Sequence, residues 1–181
     1  MAQAPLSARR KGCLRGSVVV FGFYLPVNIL TEQQARDRQL ALPRDGLLTG
    51  LSSEFIAELQ VNGTFVEYNQ QTIVSAGRPT DYIFCVISGR VNISRRNDDF
   101  GKSQVAALGP GQWYGERDVF LRIPVEEEAF AEGEVILWTI PPDTLRELFF
   151  SSPGAVQLLF NFGIVLAQKL ATQTAVPAAA A

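Results

Sequence analysis

The 181-residue sequence contains no histidine. That absence removes Ser–His triads, histidine-ligated metals and histidine general bases together. Cysteine is scarce: Cys13 and Cys85 stand far apart in unlike surroundings, which makes neither a disulfide framework nor a cluster for zinc or iron–sulfur. Cys85 lies in an apolar run and reads as a small buried hydrophobe. There is no excess of positive charge. Sixteen basic against 18 acidic residues leave a net charge of −2, so no global basic field invites nucleic acid. The apolar run from Val18 to Leu30 falls short of the roughly 20 residues a membrane span needs, and Gly22 and Pro26 interrupt it. No catalytic constellation assembles, so the chain is expected not to be an enzyme and to hold no cofactor or metal.

What is present is apolar and regularly punctuated. Hydrophobic residues make up 47% of the chain, and the length suits one domain with extensions. From Asn62-Gly63 to Ile140, short β-rich runs alternate with turn signals. The runs are 64–68, 72–74, 82–88, 91–94, 105–108 and 135–140. Between them lie Gly77-Arg78-Pro79, Ser88-Gly89, Asn97-Asp98-Asp99, Gly109-Pro110-Gly111 and Glu132-Gly133-Glu134. A turn every 8–12 residues or so predicts a β-barrel or jelly roll. Helices are expected on either side. Ser52 is the N-cap of one that carries Phe55, Ile56 and Leu59, and Pro141-Pro142-Asp143 opens another that stops at Ser151-Ser152-Pro153. A last helix is expected over about 154–174.

Residues 111–131 carry the functional signal. Gly111 marks a tight turn, and Gly115-Glu116 opens a short helical turn, where a glycine lets an anion approach the backbone. A carboxylate at 116 can accept hydrogen bonds from a sugar hydroxyl. The run Gly77 to Val91, the segment Pro110-Gly111-Gln112-Trp113-Tyr114-Gly115-Glu116, Pro124 eight residues on, and Val135-Ile136-Leu137-Trp138 follow one known pattern without a gap from Gly111 to Trp138. Over 47–174 the chain resembles the cyclic-nucleotide-binding domain family. The resemblance implies a mainly β fold with flanking helices, a β-jelly-roll (double-stranded β-helix) with C-terminal helices. It also implies a regulatory role in which Gly115 and Glu116 hold a ribose phosphate.

One position departs from the pattern. Where the family places a phosphate-binding arginine, this chain has Val125, followed by Glu126, Glu127 and Glu128. Losing a charge-assisted hydrogen bond costs about 1.5–3 kcal/mol. A carboxylate about 6 Å from the phosphate at an effective dielectric near 20 adds about 3 kcal/mol of repulsion. Along a strand Glu127 shares the face of Val125, while Glu126 and Glu128 face away. The sum corresponds to about a thousandfold or more in affinity. The expectation is a regulatory or interaction domain standing alone that does not bind cAMP or cGMP in the usual way. The alternative is a true cyclic-nucleotide or other small-ligand sensor, in which Arg122 or Arg117 replaces the missing arginine and the last helix carries the signal.

The ends of the chain are read by composition. Residues 1–46 form an N-terminal arm. Arg9, Arg10, Lys11 and Arg15 precede the apolar run, and a mostly polar linker from Gln33 ends in the turn Pro43-Arg44-Asp45-Gly46. An arm packed on the domain or a neighbour is favoured. A membrane-surface or signal role for residues 1–30 is the alternative to cytoplasmic placement. In the last helix two apolar stripes are expected. Val156, Leu159, Phe160, Gly163, Ala167 and Leu170 would lie on the barrel. Leu158, Phe162, Val165 and Leu166 would be left for a homodimer seam or a partner protein. The alanine-rich tail, 175–181, leaves no room for the DNA-reading domain of bacterial relatives, so direct transcription-factor activity is not expected.

Overall fold

The computed structural model describes residues 27–96 and 101–174, with side chains as far as 171, and the backbone of a short antiparallel pair, β1 (Val19–Val20) and β2 (Phe23–Tyr24). The rest of the N-terminal arm, Cys13, residues 97–100 of the expected hairpin tip and the alanine tail lie outside the described residues.

Seven strands form one antiparallel sheet: β3 (Asn28–Ile29), β4 (Thr64–Asn69), β5 (Thr72–Val74), β6 (Ile83–Arg96), β7 (Lys102–Leu108), β8 (Trp113–Tyr114) and β9 (Glu127–Ile140). The spatial order is β3-β4-β9-β6-β7, with β5 on β9 and β8 on β6. With flanking helices, this is the jelly-roll architecture that the turn rhythm predicts.

Two expected turns are not turns. Ser88-Gly89 and Glu132-Gly133-Glu134 lie inside the 14-residue strands β6 and β9. Register shifts between Val86 and Arg90 let the long strands bend. Gly89 takes φ +87°, and a Cβ there would sit 2.5 Å from the Glu134 carbonyl oxygen. Only glycine combines that conformation with that approach.

Strand alternation sorts the core into two layers. Val66, Tyr68, Phe84, Val86, Val91, Ile93, Tyr114, Val125, Val135 and Leu137 fill the barrel interior. Their alternates Phe65, Ile83, Cys85, Trp113, Trp138 and Ile140 face the helices. Burial pushes the Cys85 thiol up to about 12, so it is an inert packing residue.

Four helices cover the second layer: α1 (Glu32–Asp37), α2 (Ser53–Asn62), α3 (Pro142–Ser151) and α4 (Ala155–Thr174). Ser52 caps α2 by accepting from the Phe55 N–H, and a proline sits in the first turn of α3. The segment read as a polar linker is a finding against expectation. Thr31 and Gln34 form a reciprocal capping box that starts α1, and Leu30, Leu42, Leu47 and Leu48 are buried in the helix-side core.

In α4 the two stripes are exchanged relative to the sequence reading. Leu158 and Phe162 are buried, and Val165 and Leu166 are half-buried, so they face the domain. Val156, Leu159, Phe160 and Leu170 are exposed. The physical reason is Asn161. Its amide donates to the carbonyls of Leu47 at 2.8 Å and Thr49 at 2.9 Å, which fixes the face containing 158, 161, 162 and 165 inward. A polar residue orients the helix. Among the described residues no helix is long and apolar enough to cross a membrane.

Candidate ligand pocket

The glycine-led turn forms as the sequence suggests. Gly115 takes φ +89° and leads into a 3-10 turn, Glu116–Val119. A Cβ at 115 would meet the Ile83 Cα and the Tyr82 carbonyl oxygen at 3.2 Å, so the turn lies tight on β6. The turn and the start of β9 border a cavity of about 360 Å³. Tyr114, Glu116, Arg117, Val125, Glu127 and the α4 residues Leu166, Lys169 and Leu170 are among the residues that line it.

Glu116 is 3% exposed. Both of its oxygens accept from Lys169 Nζ, at 2.8 and 2.9 Å. Lys169 reaches in from α4, some 50 residues later, and sequence reasoning missed it. The signal was there to find: it is the one basic residue in the otherwise neutral run 155–174, on the same helical face as Leu158, Phe162 and Val165.

Val125 is 3% exposed within the interior core. Its N–H donates to the Arg78 carbonyl at 3.0 Å, and its own carbonyl accepts from the Gly77 N–H at 2.8 Å. The backbone donor that an anion would need at this position is engaged. Glu127 lines the cavity as alternation requires, while Glu126 is exposed and Glu128 pairs with Lys102 at 2.5 Å. Glu127 accepts from Arg95 at 2.8 Å and from the Tyr114 hydroxyl at 3.2 Å. Burial, with Glu127 beside it, raises the Tyr114 pKa, so the phenol stays a donor. Arg95 stands opposite Glu127 in the register of β6 on β9, and it offsets part of the repulsion the bare sequence implied.

The two candidate replacement arginines part company. Arg117 lines the cavity. Arg122 is directed to Asp143 at 3.2 Å, where Arg146 also binds, and is not among the cavity-lining residues. Among the described residues no cluster of His, Cys, Asp or Glu is arranged to hold a metal ion.

The jelly roll's glycine-led turn and buried glutamate open on a cavity that α4 borders. Residues 68–152 match the family model described as the cyclic nucleotide-binding domain. This part of the chain is similar to the domains of that family. The chain is 29% identical over 130 residues to a CRP-like cAMP-activated global transcriptional regulator of Mycobacterium tuberculosis, covering 71% of this chain and 57% of that one. It is 27% identical over 136 residues to glutaminase 2 of Bradyrhizobium diazoefficiens, covering 74% of this chain and 21% of that enzyme. The fold is that of a cyclic nucleotide-binding domain from Methylobacillus flagellatus, with a TM-score of 0.69, 17% identity, and coverage of 84% of this chain and 87% of that one. The chain therefore spans just over half the length of the regulator and about a fifth of the enzyme.

Proposed function

We propose that this chain provides a regulatory or interaction domain whose pocket does not take cAMP or cGMP in the family's usual way, and which itself carries out no reaction. One observation carries the reading: a buried valine, Val125, stands where the resemblance requires the phosphate-binding arginine, with its N–H already bonded to the Arg78 carbonyl. A cyclic phosphate entering here meets an apolar side chain instead of a planar fork of donors. The cation that reaches Glu116 is held by that carboxylate, and Arg95 is held by Glu127.

Arg117 on the pocket wall favours a second reading, in which the pocket senses a cyclic nucleotide or another small anion through Arg117 and Glu116. Calorimetric titration of the full chain with cAMP and cGMP separates the two. No heat at millimolar ligand is expected. Micromolar binding that Arg117→Ala abolishes establishes the second reading instead.

The output surface we assign is the exposed apolar stripe of α4, Val156, Leu159, Phe160, Ile164 and Leu170, through which the chain pairs with a second copy of itself. A stripe of this length at helical spacing suits a helix–helix seam, and Gly163, whose Cβ position is open, permits close approach.

A further inference from the structure

The pocket already contains a group that behaves as a ligand. Lys169 Nζ bridges both oxygens of a carboxylate that is almost wholly buried, the position from which Glu116 would accept a ligand's hydroxyls. Leu166 and Leu170 flank it on α4 and line the same cavity, so one stretch of helix forms one wall of the pocket. The two halves of α4 are held differently. Ala155, Leu158, Asn161 and Phe162 are buried, and Asn161 is bonded to the Leu47 and Thr49 carbonyls. None of residues 163–171 is buried. Beyond Phe162, Val165 and Leu166 are half-buried, and Lys169 reaches the buried Glu116.

We propose that Lys169 is a built-in occupant of this pocket. Its ammonium fills the hydrogen-bonding site that a ligand's paired hydroxyls would use, and so latches the last two described turns of α4 over the cavity. The proposal rests on the reading of this cavity as the domain's ligand pocket. A ligand reaching Glu116 must displace Lys169, which frees the second half of α4 while the first half stays fixed. An element whose two arrangements are biased by one pocket contact is the minimum needed to turn occupancy into a signal.

Hydrogen exchange on the full chain tests this. Lys169→Met keeps the side chain's length and removes its donors. Exchange of amides 166–171 should rise about tenfold, the lower end of what a charge-assisted hydrogen bond holds for a half-exposed lysine. Amides 155–162 should not change, and Lys169→Arg should keep the wild-type pattern. If Lys169→Met folds poorly because Glu116 is left buried and unpaired, the double variant Glu116→Gln with Lys169→Met removes both charges and should show the same local rise. Unchanged protection at 166–171 overturns the latch. An equal rise throughout α4 and β6 also overturns it, because the pair is then a general stability contact. Cyclic-nucleotide binding by the wild type would sink the preceding reading of the pocket and leave this one standing, since a latch can be displaced.

Discussion

Thr80 donates its hydroxyl to Asp118 Oδ2, and the two side chains are 4% and 2% exposed. The bond ties the loop before β6 to the 3-10 turn that carries Glu116. No described donor reaches Asp118 Oδ1. Burial raises the Asp118 pKa above the ordinary 3.8, outweighing the Thr80 bond and the nearby Arg117 and Arg122. The folded state therefore binds this proton more tightly than the unfolded one. The stability contribution of Asp118 is greatest below pH 3.8 and falls as pH rises through the folded value. Asp118→Asn keeps an acceptor for Thr80 and removes the slope. Its melting temperature relative to wild type should climb between pH 4 and pH 7, and a flat difference across that range would count against the assignment.

The phosphate side of the pocket can be rebuilt. Val125→Arg alone should bind cAMP weakly, because Glu127 on the same wall offers the new guanidinium a partner. Adding Glu127→Ala should tighten binding at least about tenfold, the worth of one released charge-assisted bond. Titration of both variants beside wild type reads this. Equal affinity of the single and double variants would show that Glu127 does not compete.

The exchanged stripes of α4 make opposite predictions for adjacent residues. Leu159→Asp should leave the fold intact and convert a dimer to a monomer in sedimentation velocity. Leu158→Asp places a charge at 1% exposure in the core and should lower stability by several kcal/mol, on the order of 3–5. A monomeric wild type, or a Leu159→Asp variant that sediments as wild type does, removes the proposed seam.

Asn161 is the second orienting contact. Asn161→Ala leaves the Leu47 and Thr49 carbonyls without their donor in a part-buried setting, which costs about 2–3 kcal/mol in all. Urea unfolding should show a lower midpoint with little change in slope. A loss under about 0.5 kcal/mol would mean that water replaces the amide at no cost.

Much of the barrel is legible in the residues because period-two alternation and turn chemistry are local properties. The Ser52 cap, the Gly115 turn and the sharing of one face by Val125 and Glu127 follow from spacing alone. The misreadings have one physical source: local signals do not say what covers a residue. Gly89 and Gly133 look like hairpin turns, but a bulge in a long strand demands the same positive φ. Gln33 to Gly46 looks like a linker because its charges are surface charges, although Thr31-x-x-Gln34 is a helix start. The α4 stripes are exchanged because the acceptors of Asn161, which set the buried face, lie more than 110 residues earlier. Lys169 is visible as the lone basic residue of α4, but its partner Glu116 is not, for the same reason.

β9 is the last of the described strands, yet it pairs with β4, β5 and β6, and so its residues join partners made 32 to 75 residues earlier. On the ribosome, β4, β5 and β6 emerge before the strand that joins them. The sheet closes only when residues up to Ile140 have left the exit tunnel, and the helix-side core only after Phe162 follows. High contact order of this kind makes folding slow and leaves the exposed edges of β4 and β6 to a chaperone in the interval. Shortened transcripts ending before β9 should give products cleared by proteolysis, not smaller working domains.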